Sequence, residues 1–202
     1  GEKTLDIIEN DIEKLTMVEG IGEKRIAMIQ DAWDEQKEIR DVMMFLQSHG
    51  VSSGYATKIF KQYGNRSIAV VTENPYRLAM DIFGIGFVIA DSIADKLGFS
   101  KNSPLRVEAG ILYVLHQLSD EGHVFYPYEY LVKKSRETLG VDRDTVAEAL
   151  GNLAIDKKIV LEDLNESFDE FKENNKSVYL AKFHLCETSI ATRLKILSTT
   201  PK

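Results

Sequence analysis

The chain carries one cysteine, Cys186, in 202 residues. No disulfide frame can form within it, and a zinc site built on thiolates has too few ligands. That scarcity suits a reduced intracellular compartment. No apolar run approaches the length of a membrane span, and no signal-peptide pattern opens the sequence, so we expect a cytoplasmic protein. Positive charge is also lacking overall. The net charge of −7 argues against a generic basic nucleic-acid binder. Catalytic signatures are missing as well. There is no Gly-x-x-x-x-Gly-Lys-Ser/Thr phosphate loop and no Gly-x-Ser-x-Gly elbow. The four histidines (His49, His116, His123, His184) lack metal-ligand spacing. His123 stands after a glycine beside aromatics and reads as a capping or packing residue. We expect no catalytic residue, no metal and no cofactor in this chain.

An apolar content of 44% over 202 residues is enough for one or two domains with real cores. The abrupt start at Gly1 and the end at Pro201-Lys202 lead us to expect a piece of a longer chain.

The most informative feature present is a repeated tripeptide, Gly20-Ile21-Gly22 and Gly84-Ile85-Gly86. Each copy joins two segments with helical spacing. The first glycine suits a turn that needs φ > 0. The second opens a helix whose first amide N–H groups have no partner within the helix. Those donors and the helix dipole suit an anion. This is the pattern of the helix-hairpin-helix module, which holds a nucleic-acid phosphate through backbone N–H groups. Gly-x-Gly turns also cap helices for structural reasons alone, and two copies in one small helical region weigh against that reading.

The two copies differ in the residues after the second glycine. Lys24 and Arg25 occupy the first turn of the helix after Gly22, the wrong end for cations on dipole grounds. A docked anion would explain them; otherwise they are solvated surface charges. After Gly86 come Phe87, Val88 and Ile89, all apolar, with small Ala90 placed to let two helices approach. That copy therefore holds an anion by backbone alone or is a structural corner. Gly50-Val51-Ser52 reads as a degraded third hairpin, with serine in place of the second glycine. Charge is uneven too. Between Val42 and Met80 stand Lys58, Lys61, Arg66 and Arg77 against Glu73 alone, while acid collects in 31–41 and 162–173. An acidic total with local cations predicts modest affinity and strong salt dependence.

Apolar spacing and cap residues place the elements. Helices are predicted over 4–15, through Ile26, Ile29 and Trp33, and through Ile39, Val42, Met43 and Leu46, with a fourth capped by Ser52 or Ser53 and ended by Gly64. Asn74-Pro75 starts another, and 88–97 comes after the second Gly-Ile-Gly. In the second half, helices are predicted from Ser103-Pro104 to Gly122, over 128–139 and over 141–155. Residues 123–126 read as extended, 159–161 and 178–180 as strands, and 165–176 as a mobile tip. The fold class is thus mainly α: a tandem helix-hairpin-helix bundle over 1–100, then a winged-helix-like α+β domain with a small β wing over 101–186, then a linker helix over 187–202. A winged helix binds DNA about as often as protein. The acidic tip is a poor DNA reader, and Lys133, Lys134 and Arg136, with Arg143 nearby, form the only basic cluster there, so a scaffold or interface role is favoured.

The ordered series Gly20-Ile21-Gly22-Glu23-Lys24, Trp33, Gln36, Ile39-Arg40, Met44-Phe45-Leu46-Gln47 and His49-Gly50-Val51-Ser52 resembles one family. So do Tyr63-Gly64, Asn74-Pro75-Tyr76, Gly84-Ile85-Gly86-Phe87 with Ala90-Asp91, Arg106, Gly122-His123, Glu187 and Ile190-Ala191. These residues resemble the N-terminal part of RecD-like ATP-dependent DNA helicases, the long form that works without RecB and RecC. The resemblance implies a superfamily 1 helicase moving 5′-to-3′ on single-stranded DNA in repair or recombination. It also implies ATP and Mg in motor domains C-terminal to this region. The expected DNA-binding residues are Gly20, Ile21, Gly22, Lys24, Arg25, Gly50, Ser52, Lys58, Lys61, Arg66, Gly84, Ile85 and Gly86. The expected partners are DNA, single-stranded or at a single-strand/duplex junction, and the motor of the same parent chain. Val88 departs from the family, which often has a basic residue there. Two other readings stand beside this one. A protein-interaction or spacer module would use the hairpins as corners. A helix-hairpin-helix glycosylase would need a catalytic Asp beyond its hairpin, and no convincing candidate is found.

Overall fold

A computed structural model describes residues 2–163 and 176–199. The stretch expected to be a mobile tip lies outside the described residues apart from Lys176. The chain divides into two compact units, Gly1–Gly86 and Phe87–Lys202.

In the first unit α1 spans Glu2–Asn10 and a 3-10 turn spans Ile12–Met17. The single helix expected over 4–15 is therefore broken. Asp11 leaves helical geometry (φ −148°, ψ 47°), and its carboxylate accepts from Lys14 Nζ at 2.6 Å. Adjacent Asn and Asp compete with the helix for backbone groups, which explains a stop at Asn10-Asp11. The opposite correction applies next. The second and third expected helices are one, α2 (Glu23–Ser48), of 26 residues. Residues 34–38 contain no Gly or Pro and are mostly good helix formers, so nothing interrupts the ladder.

Helix α3 (Ser53–Tyr63) is capped by Ser52, and Gly64 ends it at φ +54°. A 3-10 turn (Gly64–Arg66) leads into α4 (Ser67–Glu73), which sequence reading did not anticipate. Its β-branched Val70 and Val71 are weak helix signals but are fully packed, and tertiary burial overrides propensity. Helix α5 (Arg77–Asp81) starts later than Pro75 because Asn74 Oδ1 accepts the Tyr76 N–H at 3.1 Å and forms a turn first. The core of this unit holds Val42, Leu46, Val51, Ile59, Val71, Tyr76, Leu78 and Ile85. It gathers around the C-terminal half of α2; from Glu23 to Asp41 no residue of that helix is buried.

The second unit begins with α6 (Phe87–Lys96) and α7 (Pro104–Asp120). Strand β1 (Phe125–Pro127), α8 (Tyr128–Leu139), α9 (Arg143–Ile155), β2 (Ile159–Asp163) and β3 (Lys176–Leu180) come next. The sheet is antiparallel in the order β1-β3-β2, with Phe125 and Val160 both opposite Tyr179. Three strands form it rather than the two expected, because the extended segment after His123 pairs with β3. Val107, Ile111, Val114 and Leu118 line one face of α7 and are buried, as are Leu131 and Val132 of α8 and Leu150 and Leu153 of α9. A Cβ at Gly110 would run into Leu139, so glycine there permits the close approach of α7 and α8. Arg106 makes a bidentate pair with Asp91 (2.9 and 3.0 Å) and donates to the Leu139 carbonyl at 2.9 Å. Helix α10 (Ala181–Thr199) begins directly after β3 and buries no side chain among the described residues. The molecule is mainly α with a small antiparallel sheet.

Candidate nucleic-acid interface

The first turn is built by short-range bonds. Gly20 sits at φ +87°, where an L side chain would be strained, and Ile21 N donates to Val18 O at 3.0 Å. Gly22 is the N-cap of α2 and has no side chain with which to cap it. Its carbonyl accepts from Arg25 N at 2.9 Å and Ile26 N at 3.1 Å, so the helix ladder starts there. The N–H groups ahead of that point are left for an outside acceptor. A Cβ built on Gly22 meets nothing within 4 Å, so space in front of the turn is open. Arg25 does not simply project. Its Nη1 donates to Gly20 O at 2.7 Å, closing the turn from within. Lys24 is exposed and makes no such contact among the described residues.

The second turn repeats this backbone. Gly84 lies at φ +87°, Ile85 N donates to Ile82 O at 3.1 Å, and a Cβ on Gly86 again meets nothing within 4 Å. Its setting differs. Ile85 is 2% exposed, and Ile82 and Leu78 are buried with it. A cation is present here also, although the sequence after Gly86 offers none. Lys58 of α3 donates from Nζ to Phe83 O at 3.3 Å. The same ammonium would lie 3.1 Å from a Cβ on Gly84. A side-chain cation thus stands beside a turn that was expected to offer backbone groups alone. Lys58 supplies from α3 the charge that Val88 withholds.

The third turn keeps the glycine and loses the open helix end. Gly50 has φ +69° and Val51 is 4% exposed, but Ser52 Oγ accepts the Tyr55 N–H at 3.5 Å. A side chain thus stands where the other two turns present bare backbone. Lys61 lies one helical turn beyond Lys58 and is exposed; Arg66 is exposed in the 3-10 turn beyond α3. Among the described residues no bond joins Lys61 or Arg66 to a hairpin.

Around the second turn, Tyr63 Oη donates to Asp81 Oδ2 at 2.8 Å, and Arg77 Nη2 lies 3.3 Å from the same oxygen. Burial, and next the bond to Asp81, push the Tyr63 phenol up to about 12. Arg77, a member of the sequence's basic stretch, is thus engaged with Asp81. In the second unit, Lys133, Arg136 and Arg143 border a shallow hollow with Tyr130. Arg143 is held by a two-pronged bond to Glu129 (2.8 and 2.9 Å), which offsets part of that cluster's charge.

Sequence reading missed two features here. Lys58 is expected among the outward cations, with no hint that it reaches the turn 25 positions later. Phe83 is not singled out by any motif, and its ring is 100% exposed. Its position just before Gly84 is the available signal, because the matching residue of the first turn is Glu19. Among the described residues no group of His, Cys, Asp or Glu is arranged to hold a metal ion, and no helix is long and apolar enough to cross a membrane.

Residues 35–125 match the family described as the ATP-dependent RecD2 DNA helicase HHH domain. The match takes in the Gly50 turn and the second Gly-Ile-Gly and starts beyond the first. Over its whole length the chain is 25% identical to the ATP-dependent RecD2 DNA helicase of Deinococcus radiodurans, and it spans 28% of that protein. Residues 35–125 are thus similar to the helix-hairpin-helix domain of RecD2 helicases.

Proposed function

We propose that this chain is an accessory DNA-binding region of a RecD-like superfamily 1 helicase, acting in DNA repair or recombination in the cytoplasm. One observation carries the reading. Two turns far apart in sequence share a backbone, with the first glycine at φ +87° in both, and each has a cation bonded to a carbonyl of the turn. In each turn the second glycine faces open space. A phosphate fits this arrangement: bare N–H groups in front, positive charge beside them, and no side chain in the way. Gly20, Ile21 and Gly22 with Lys24 and Arg25 would hold one phosphate, and Gly84, Ile85 and Gly86 with Lys58 another. Gly50 and Ser52 form a weaker third turn. Lys61 and Arg66 add attraction that is blind to sequence. Such contacts go to the sugar-phosphate backbone and not to base edges, so no sequence preference is expected. The strand bound is single-stranded DNA or a single-strand/duplex junction. ATP and Mg belong, on this reading, to motor domains of the parent, which would move 5′-to-3′ as the family does.

The second unit has a separate role in this scheme. Leu185, Ile190, Leu194 and Leu197 of α10 are all more than half exposed, which favours a winged-helix-like docking or spacer module against the motor.

The test is fluorescence anisotropy of labelled single-stranded and duplex DNA with this chain, at low and moderate salt. Binding in the range of about 10⁻⁴–10⁻⁶ M, weakening steeply with salt, is expected. Charge reversal of Lys24 and Arg25 together should lower the affinity and flatten the salt slope. An unchanged affinity at low salt sinks the first turn as a phosphate site.

A further inference from the structure

We infer that Phe83 is a stacking post for an unpaired nucleobase, set beside the second Gly-Ile-Gly turn. The inference rests on the phosphate reading of that turn. Isolated apolar side chains on a surface are ordinary, and exposure alone would say nothing. Phe83 differs in where it stands and how it is held. Its ring is 100% exposed, so none of its apolar area is used in the fold. Its own carbonyl is fixed by Lys58 Nζ at 3.3 Å, so the residue that carries the ring is tied to a cation. Gly84 and Gly86 come next without side chains, and the Cβ position of Gly86 looks into open space. The ring therefore stands clear next to the proposed phosphate position.

The matching residue of the first turn sharpens the point. There the same backbone carries Glu19, a carboxylate that suits water and repels phosphate. At Phe83 the charge is gone and a π surface replaces it, in the part of the chain where cations outnumber acids. Aromatic rings beside cations are the usual equipment for single strands, because every base has a face to stack and the backbone supplies the charge. A duplex interior keeps its bases stacked on each other and offers the ring nothing. The occupant is thus a base of single-stranded DNA, or the unpaired base at a junction, without preference among the four.

The experiment compares an ordinary single strand with an abasic strand of equal length, which keeps the phosphates and lacks the bases, together with a blunt duplex. The whole chain is used at low salt. The native protein should bind the ordinary strand about thirtyfold more tightly than the abasic one, near the middle of the range for one stacked base. Phe83→Ala should bind both strands alike, at the native protein's affinity for the abasic strand, and should bind the blunt duplex as the native protein does. Phe83→Trp should restore the preference. Because the ring is fully exposed, Phe83→Ala should melt with the native protein, which separates this effect from misfolding. Equal native binding to both strands overturns the stacking role and leaves the phosphate reading in place. A preference that survives in Phe83→Ala also overturns it. No binding to any of the three at low salt removes the phosphate reading, and the stacking role with it.

Discussion

The two Gly-Ile-Gly turns show how one backbone can be supported in two ways. Both place the first glycine at φ +87° and both bond the isoleucine N–H three residues back. Around Gly84 the support is packing. Ile85 is 2% exposed and sits with Ile82 and Leu78. Around Gly20 little is buried, and Arg25 instead donates into the turn at 2.7 Å. The cation of the first turn is local, five residues on from the carbonyl it meets, whereas that of the second comes from α3. What the repeat dictates is therefore the turn itself. What stabilises the turn depends on the neighbourhood, and so does what each turn loses on mutation.

The largest expected difference lies at the central isoleucines. Ile85→Ala removes fully buried methyl groups and should cost about 2–4 kcal/mol. Ile21 is only half-buried, and Ile21→Ala should cost under about 1 kcal/mol. Urea melts of the two variants check this, and equal costs would break the contrast between a packed turn and a bonded one.

The first glycines should behave alike. Gly20→Ala and Gly84→Ala each force an L side chain to positive φ, at about 1–2 kcal/mol. At Gly84 the new Cβ would also press on Lys58 Nζ at 3.1 Å, but that is the far end of a flexible side chain, which can shift at the expense of its bond to Phe83 O. Near-equal destabilisation would confirm that the two backbones are equivalent. A gap much above about 1 kcal/mol would show that packing controls the conformation of the second turn as well.

These contrasts mark what was legible in the sequence and what was not. The turns were legible because glycine's freedom at positive φ is a local property. So was α8, whose bounds of Tyr128 and Leu139 reflect its apolar spacing and Gly140 at φ +67°. Helix α4 was hidden because Val70 and Val71 favour strands until burial decides for them. The break at Asp11 turned on a local competition that apolar spacing does not weigh. The link from Lys58 to Phe83 joins residues 25 apart, and no pattern of neighbours encodes it. Phe83 was hidden for a different reason: no motif includes it, and its place opposite Glu19 of the first turn hints at exposure without showing it.

Charge separates the turns in a smaller way that DNA binding can read. Lys24→Glu changes only an exposed charge, while Lys58→Glu also frees the Phe83 carbonyl. Each should weaken single-strand binding severalfold and reduce the salt slope by about one unit. Lys58→Glu should in addition lower the melting point, because the turn loses a bond. If Lys24→Glu alone affects binding, the phosphate reading holds for the first turn and fails for the second.

The smallest expected effect concerns the entry into each turn. Before the first, Lys14 and Asp11 pair at 2.6 Å with both side chains more than half exposed, and such a pair contributes about 0–1 kcal/mol. Before the second, Tyr63 donates to Asp81 at 2.8 Å and anchors α5 to α3. Burial, and then Asp81, raise its phenol to about 12 from the ordinary 10.0. The neutral phenol is the form the fold favours, so this contribution is complete below pH 10 and is lost as pH rises through about 12. Because solvent reaches much of the pair, we expect a loss below about 1 kcal/mol. Tyrosinate absorbance should show a phenol that ionises late and disappears in Tyr63→Phe. Tyr179, raised by its own burial, should remain among the late groups. Stability of Tyr63→Phe should fall less than the native protein's between pH 10 and 12. If Tyr63→Phe keeps the native alkaline slope, the anchor of the second turn is packing alone, and the two turns differ even more in how they are held.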